Sequence, residues 1–270
     1  MNKTVSVAPM MDCTDKHEIY FLSLISKNVH LYSEMIVANA IIRGDRNKLL
    51  SFKKISNPVT LQVGGSNPKE LAEACKISED YGYKEINFNL GCPSKKVQKN
   101  KFGACLMQEP HLVAKCIEAM AKATKLPVTI KTRIGYNEVE NFEFIKSFIK
   151  TTNEIVNHLQ KVDGVMIGRA SYHSPSFLAE IEKEVFGNES VPTRSEVMEK
   201  LIPYIQDETS KGTQLNHIMR HTVGLFHGQN GSRVWKQYLS KNMCIRDADL
   251  QKVNHIMDQV KKSNPISLER

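Results

Sequence analysis

Short apolar runs rich in β-branched residues alternate, over the first 180 positions, with stretches whose apolar residues repeat every three to four positions. The first pattern is typical of buried strands and the second of amphipathic helices. Strands are predicted at 5–9, 31–35, 59–63, 85–90, 127–131 and 164–167. Helices are predicted at 15–26, at 68–81, from Pro110 onward, at 142–150 and at 153–160. One helix start is well marked, because Asn67 is a favourable N-cap and Pro68 suits the first turn.

This alternation predicts an α/β fold in which parallel strands are joined by right-handed crossovers. Polar residues follow the predicted strands, which is where a β/α barrel places its active site. A doubly wound sheet is the alternative, but no G-x-G-x-x-G sequence follows the first strand. We therefore predict a TIM-type (β/α)8 barrel. The barrel is predicted to be incomplete, because six strands are visible and the helices at 142–150 and 153–160 have no strand between them.

The strand pattern stops at about Val191. Four helices are predicted in this part of the chain, at 195–210, 214–226, 232–241 and 248–261. Glycines mark their junctions, namely Gly212, Gly228 and Gly231. The prediction is thus a barrel domain at 1–190 followed by a small all-α domain at 191–270.

Composition narrows the class of protein. The chain has 270 residues, of which 41% are hydrophobic, so a sizeable buried core is expected. It contains no apolar run of 18 residues, and its N-terminus enters strand-like sequence at once, so we expect no membrane span, no signal peptide and a cytoplasmic location. The six cysteines include no C-x-x-C pair, which argues against a zinc site or a disulfide framework, and we expect no metal.

The charge suits a polyanionic partner, since the formal net charge is +8 and the pI is about 9.1. Residues 1–190 carry 25 Lys and Arg against 21 Asp and Glu, whereas residues 191–270 carry 12 against 8. The same surplus therefore lies in less than half the length, and the C-terminal part is the more basic one.

Six short motifs, in this order and at this spacing, resemble those of the tRNA-dihydrouridine synthases, and the resemblance covers nearly the whole chain. They are Ala8-Pro9-Met10-Met11-Asp12, Leu61-Gln62-Val63-Gly64-Gly65, Asn87-Phe88-Asn89-Leu90-Gly91-Cys92-Pro93-Ser94, Phe102-Gly103-Ala104-Cys105-Leu106, Lys131-Thr132-Arg133 and Gly164-Val165-Met166-Ile167-Gly168-Arg169. N-x-G-C-P within such a series is a specific signal. The contexts of 133–135, 224–226 and 231–236 are similar to the bacterial A-type branch of the family.

The resemblance also locates the gap in the barrel. Family members carry, between the counterparts of Lys150 and Thr152, a sixth strand ending in His-Ala-Arg and a seventh ending in Asn-Gly-Gly. They use that histidine and those glycines on the phosphate and ring of FMN. Neither motif occurs in this chain. The barrel domain is therefore predicted to be internally shortened near 150–152 and to lack its sixth and seventh strands.

For function, the resemblance implies synthesis of 5,6-dihydrouridine from uridine in the D loop of tRNA, at positions 20/20a. The cofactor implied is FMN, the reductant is NADPH, and the expected state is a monomer. In the family, reduced FMN gives a hydride to C6 of the uracil while a cysteine protonates C5, which makes Cys92 the predicted catalytic acid. Outside this motif, Cys92 would be interpreted as a small turn residue.

The remaining site residues are likewise implied by the resemblance. Cofactor binding is expected for Pro9, Met10, Met11, Gln62, Lys131, Gly168 and Arg169. Contact with RNA is expected for Asn89, Lys95, Lys96, Arg233 and Lys236. Ordinary alternatives exist, because paired methionines often fill a core and lysines in loops are usually just solvated. His217, His221 and His227 show no metal spacing and are interpreted as structural.

Two other functions remain open on the sequence. The shortened chain could be a catalytically dead deletion variant that retains some tRNA binding, which the missing segment favours. It could also be another FMN barrel oxidoreductase that acts on a free pyrimidine, although the basic helical domain argues against this.

Overall fold

A computed structural model describes residues 4–133 and 164–242, together with His255 and Met257. Six strands form one sheet in which every neighbouring pair is parallel. They are β1 (Thr4–Val7), β2 (His30–Val37), β3 (Val59–Gly64), β4 (Glu85–Asn89), β5 (Val128–Lys131) and β6 (Gly164–Ile167). Their order across the sheet is β5-β4-β3-β2-β1-β6.

This order is that of a β/α barrel opened between its fifth and last strands. The last strand, β6, pairs with the first one, as it does in a closed barrel, whereas β5 and β6 form the two edges of the sheet. Among the described residues no strand joins these edges. The predicted incomplete barrel is confirmed, while the helices predicted at 142–150 and 153–160 lie outside the described residues.

Helices connect the strands and form the C-terminal part. The α-helices are α1 (Lys16–Ile25), α2 (Ala38–Arg43), α3 (Arg46–Leu50), α4 (Pro68–Ser78), α5 (Lys95–Lys99), α6 (Pro110–Ala123), α7 (Arg169–His173), α8 (Phe177–Glu184), α9 (Arg194–Ser210), α10 (Leu215–Met219) and α11 (Ser232–Asn242). Short 3-10 turns occur at Glu79–Tyr81, Gly103–Gln108 and Arg220–Thr222. The helix predicted at 248–261 lies outside the described residues, apart from His255 and Met257, which are helical.

Local sequence chemistry explains the best-predicted boundaries. Helix α4 begins after Asn67, whose side chain accepts hydrogen bonds from the backbone N–H groups of Lys69 and Glu70. Asp15 caps α1 in the same way. Helix α9 begins with a capping box in which Thr193 and Glu196 each bind the other's backbone N–H. These side chains satisfy N–H groups that a helix start leaves without intrahelical partners.

One helix prediction was wrong, and several short helices were missed. Helices α2, α3, α5 and α7 were not predicted, because five or six residues are too few to show a helical period, and α8 was also missed. The continuous helix predicted at 214–226 is instead a five-residue helix followed by a 3-10 turn and further turns. The chain there packs closely on another segment, since a Cβ placed on Gly224 would lie 2.4 Å from the His173 carbonyl oxygen.

The C-terminal helices pack directly on the barrel part. Apolar residues of both predicted domains belong to one continuous core, in which Ile19 and Leu22 of α1 join Val197 and Leu201 of α9. An ion pair of 2.7 Å between Lys16 Nζ and Glu208 Oε2 links the same two helices. The division at 190/191 remains a prediction, and α9 begins close to it, at Arg194.

Candidate active site

The carboxyl ends of the strands bring the predicted cofactor residues to one edge of the sheet. The Ala8 N–H donates to the Ile167 carbonyl at 2.8 Å, which places the residues after β1 beside those after β6. Across the sheet, Asn89 and Lys131 are paired in register at the ends of β4 and β5. In a β/α barrel this edge carries the active site.

The face of the sheet that bears this site is polar and internally hydrogen-bonded. Gln62 Nε2 donates to Asn87 Oδ1 at 2.8 Å, and Asn89 Nδ2 donates to Gln62 Oε1 at 2.7 Å. Farther along, Asn87 Nδ2 donates to Thr129 Oγ1 at 2.9 Å, and Thr129 Oγ1 donates to Glu85 Oε1 at 2.7 Å. Because each side chain in this row of hydrogen bonds orients the next one, the side chains are held rigidly.

Asn89 joins this network to the loop that carries Cys92. Its Oδ1 accepts hydrogen bonds from the N–H groups of Gly91 at 3.2 Å and Cys92 at 3.0 Å. The Asn89 residue is only 8% exposed. The amide therefore bends the chain after β4 and fixes the backbone of the cysteine, a positioning role that comes in addition to the predicted contact with RNA.

Gly103 shapes the other side of the Cys92 loop. The Ala104 N–H donates to the Cys92 carbonyl at 3.0 Å. Gly103 has a φ of +76°, and a Cβ placed there would lie 2.6 Å from Val97 Cγ1 and 2.9 Å from the Cys92 carbonyl oxygen. A residue with a side chain is therefore excluded on two grounds, left-handed backbone and lack of space. Cys92 itself is half-buried on this support.

Lys131 ends β5 next to Asn89 and is half-buried. Burial, reinforced by the charge of Arg133, lowers the pKa of the Lys131 ammonium from its ordinary value. The Cys92 loop also approaches this strand end, since a Cβ on Gly91 would lie 3.3 Å from the Thr132 carbonyl carbon. A cation and a thiol-bearing loop thus flank the Asn89 amide.

The loop after β1 forms the wall beside these groups. Pro9 and Met10 are half-buried, while Met11 is 50% exposed. Met10 N–H donates to Thr14 Oγ1 at 2.9 Å, and the Thr14 N–H donates to the Met10 carbonyl at 2.9 Å. Met11 is thus an exposed apolar side chain on a tightly hydrogen-bonded turn and does not fill the core.

Gly168 and Arg169 follow β6, on the far side of this loop. Among the described residues, only Ala8 Cβ lies within 4 Å of a Cβ placed on Gly168, at 3.9 Å, so no described residue crowds its backbone on that side. Arg169 is exposed and begins helix α7. The two residues therefore lie at the end of β6, on the edge of the sheet where the other predicted cofactor residues lie.

A comparison with known protein families bears on this arrangement. The sequence profile described as "Dihydrouridine synthase (Dus)" matches residues 6–151 and 147–261. The chain belongs to this family. The members of the family are TIM barrels, in agreement with the parallel sheet seen here.

Curated members of the dihydrouridine synthase family are similar over almost their whole length. The tRNA-dihydrouridine(20/20a) synthase of Vibrio cholerae is 39% identical, with 95% of this chain and 96% of the relative covered. The enzymes of the same name from Shewanella oneidensis and Escherichia coli K12 are each 38% identical, with 94% of this chain covered and 92% and 91% of the relatives. The predicted resemblance to the family is confirmed.

The same comparisons support the predicted gap. The family profile matches in two pieces that meet at 147–151, where the missing segment was placed. The match to the Vibrio enzyme extends over 315 positions, so at least 45 of them have no residue of this 270-residue chain opposite them.

Among solved structures, orotidine 5'-monophosphate decarboxylase from Methanocaldococcus jannaschii covers 68% of this chain and 98% of its own at 18% identity, with a TM-score of 0.34 that is too low to carry an argument.

The predicted RNA contacts lie on two surfaces. Lys95 is exposed at the start of α5, in the stretch between Cys92 and Gly103, and nothing is described of the Lys96 side chain. On α11, Arg233 is exposed and Lys236 is half-buried, while Trp235 between them points inward and is fully buried. In the described part of the chain, no contact joins Lys95 on α5 to Arg233 or Lys236 on α11.

The side chains that hold the site residues in place were not identified from the sequence. Asn87, Thr129 and Glu85 were not predicted as site residues, although Glu85-Ile86-Asn87-Phe88-Asn89 alternates polar and apolar residues with a period of two. That alternation predicts a strand with one polar face, and here this face forms the hydrogen-bonded row.

In the described part of the chain no group of three or more His, Cys, Asp or Glu side chains is arranged to hold a metal ion. Nor does that part contain a helix of the length and apolarity needed to cross a membrane.

Proposed function

We propose that this chain converts uridine to 5,6-dihydrouridine in tRNA, with FMN as cofactor and NADPH as reductant. The target is proposed to be in the D loop at positions 20/20a; the names of the curated relatives give the positions 20/20a for those enzymes. The observation that supports this most is the rigid mounting of Cys92 by Asn89 and Gly103 at the carboxyl edge of the sheet. We further propose that the enzyme acts as a monomer in the cytoplasm.

The residues present fit the ring of FMN. Gln62 on β3 supplies a buried amide, and Lys131 supplies an ammonium at the end of β5, two strands away. Met10 and Met11 supply an apolar wall. On the phosphate side, the open backbone at Gly168 and the exposed Arg169 are the groups available among the described residues. When bound, FMN would supply hydride chemistry that no amino-acid side chain can provide.

Cys92 is proposed to hold the proton that the uracil ring takes up at C5. The Sγ–H is carried on a loop whose backbone is fixed on both sides, by Asn89 Oδ1 and by Ala104 N–H. A general acid must lie within hydrogen-bond reach of the atom that it protonates. Fixing the backbone of the cysteine limits the space that the thiol can sample, which favours that geometry.

Lys131 is proposed to offset negative charge at the cofactor. Burial removes part of the water around this ammonium, which lowers its pKa and makes its charge benefit more from an anionic neighbour than that of a surface lysine. The Asn89 amide next to it keeps one Nδ2 hydrogen beyond the bond to Gln62, which is available to a pyrimidine carbonyl.

The tRNA must present its uridine outside the base stack to reach this edge, at a cost of a few kcal/mol. Contacts from basic side chains to phosphates offset that cost and position the RNA. Lys95 and Lys96 lie in the stretch following Cys92, and Arg233 and Lys236 lie on α11 in the basic C-terminal part. We propose that these four residues contact the RNA backbone.

The function is tested by supplying the purified chain with FMN, NADPH and tRNA that lacks dihydrouridine. The proposal predicts flavin absorbance at about 450 nm after gel filtration and a mass increase of about 2 Da in a D-loop fragment. A colourless protein that cannot be reconstituted, yet shifts tRNA in a gel, would instead support the deletion variant. Reduction of free uracil without a salt-sensitive shift of tRNA would support the oxidoreductase of free pyrimidines.

A further inference from the structure

A charged cluster joins the loop after β1 to the C-terminal helices. Asp15, at the end of that loop, accepts hydrogen bonds on Oδ1 from the N–H groups of His17 at 2.9 Å and Glu18 at 3.0 Å. Its Oδ2 accepts from the Arg220 guanidinium at 2.6 Å. One carboxylate therefore begins helix α1 and also binds a residue that lies 205 positions farther along the chain.

His221 occupies the buried side of the same cluster, and its side chain is 0% exposed. Its Nε2 lies 3.1 Å from Asp15 Oδ1, and its Nδ1 lies 3.2 Å from Glu18 Oε2. A neutral imidazole has one N–H, so two carboxylate neighbours favour the doubly protonated ring. Burial by itself lowers the pKa of His221, but the hydrogen bond to Asp15 and the negative charges of Asp15 and Glu18 outweigh it and raise the pKa to about 9. The contact between His221 Nδ1 and Glu18 Oε2 is an ion-pair contact without hydrogen-bond geometry.

Other groups face His221 as well. Arg220 Nε–H donates to His221 Nε2 at 3.3 Å when that nitrogen is unprotonated and opposes the positive charge of the ring when it is protonated. The Tyr172 ring lies edge-on at 6.1 Å. Burial raises the pKa of the Glu18 carboxyl to about 7, although His221 acts against this. The cluster thus contains two carboxylates and two cations, which balance when all four are ionised.

The segment that carries Arg220 and His221 is itself firmly held. The next residue, Thr222, accepts a hydrogen bond of 2.9 Å on its carbonyl from the indole N–H of the buried Trp235. Gly224 lies so close to His173 that no side chain would fit between them. The cluster therefore has a fixed base in the C-terminal part.

The loop after β1 is held from a second side as well. Its Asp12 N–H donates to Glu34 Oε2 at 2.7 Å, and the Glu34 N–H donates to the Thr14 carbonyl at 2.8 Å. Asp12 has a φ of +59°, a conformation that is uncommon for a residue with a side chain. Such a turn needs strong external contacts to persist.

We propose that Arg220 and His221 are positioning residues that, through Asp15, hold the loop at 8–15 in the conformation that presents Met10 and Met11 at the barrel mouth. The C-terminal helices then act on the cofactor wall as well as on RNA. The part concerning the cofactor rests on the proposed function, whereas the part concerning the loop does not.

The loop itself is tested by hydrogen exchange on the chain without cofactor. Arg220→Ala removes a charge-assisted hydrogen bond from a side chain that is 42% exposed, so the fold should survive. We expect the amides at 10–14 to exchange about five- to tenfold faster, and only partly faster in Arg220→Lys. Lys16→Ala is the matched control, because it breaks the Lys16–Glu208 ion pair between the same parts of the molecule. It should leave exchange at 10–14 within about twofold.

Unchanged exchange at 10–14 in Arg220→Ala and in His221→Gln would overturn the proposal. An equal acceleration in peptides of β3 and β4 would also overturn it, because the effect would then be global. FMN titration gives the second readout, with an expected loss of affinity of about five- to tenfold in Arg220→Ala and none in Lys16→Ala. A looser loop with unchanged FMN affinity would refute the cofactor part. If the unaltered chain binds no FMN, the proposed function fails, while the exchange result still decides the positioning of the loop.

Discussion

Replacing Asn89 by alanine is expected to slow dihydrouridine formation far more than it weakens binding of tRNA. The side chain of Asn89 makes three hydrogen bonds, two as an acceptor from the Gly91 and Cys92 N–H groups and one as a donor to Gln62. The alanine variant loses all three. The backbone that carries the Cys92 thiol, the proposed acid, then loses its hydrogen bonds on the side of β4.

The size of the effect follows from burial. Gln62 is 1% exposed, so its Oε1 would be left without a partner, at a cost of about 1–3 kcal/mol. The N–H groups of Gly91 and Cys92 are half-buried and can recover part of their bonding from water. We expect a total of about 2–4 kcal/mol. If most of it is felt at the transition state, kcat falls by about 100-fold.

The assay is single-turnover formation of dihydrouridine with saturating FMN, next to urea unfolding of each variant. Asn57→Ala is the matched control, because Asn57 is also buried and donates to the carbonyls of Ser26 and Val29, away from Cys92. It should cost similar stability and leave kcat within about twofold. Asn89→Asp keeps the acceptor for both N–H groups and should lose about tenfold.

Two results would contradict the predicted effect of Asn89→Ala on kcat: full kcat in Asn89→Ala, or the same loss of kcat in Asn57→Ala. In the first case Asn89 would not position the thiol. In the second case the loss would reflect general destabilisation of the fold.

Three further predictions concern other parts of the molecule. Gly103→Ala should destabilise the fold by about 2 kcal/mol in urea and lower kcat, because the new Cβ meets the Cys92 carbonyl and the φ is positive; an unchanged kcat would argue against this support. Because the pKa of His221 is raised from 6.5 to about 9, the protonated ring stabilises the fold fully below pH 6.5, and this contribution is lost as the pH rises through 9. The free energy of unfolding should fall by at most about 3 kcal/mol over this range. His221→Gln should flatten this dependence of stability on pH. The double variant Arg233→Ala/Lys236→Ala should lose about two phosphate contacts, so the slope of log tRNA affinity against log salt concentration should fall by about two. An unaltered slope would show that α11 does not contact the RNA.

The barrel part could be predicted because its signals are local. Each strand is a short β-branched run, and Asn67 with Pro68 marks a helix start that the structure confirms. Parallel βα units then place all strand ends on one edge, so Asn89 and Lys131 could be expected at the same edge without knowledge of their contacts. The position of the missing strands also followed, since β5 and β6 form the edges of the sheet.

What could not be predicted depends on contacts between distant parts of the chain. Nothing near Asp15 in the sequence indicates that it binds Arg220. His221 was interpreted as structural from the sequence, but the two carboxylates that surround it are visible only in three dimensions. For Asn89, the motif implied contact with substrate, whereas the bonds to Gly91 and Cys92 depend on how the chain turns after β4.

The central claim is that Cys92 protonates the uracil ring, and the most direct measurement compares Cys92→Ala with Cys105→Ala. Cys105 is a half-buried thiol of the neighbouring 3-10 turn, whose Sγ–H donates to the Phe102 carbonyl. With FMN, NADPH and dihydrouridine-free tRNA, the account predicts a loss of at least about 100-fold in Cys92→Ala and a change within about twofold in Cys105→Ala. Equal rates in Cys92→Ala and the unaltered chain would contradict it.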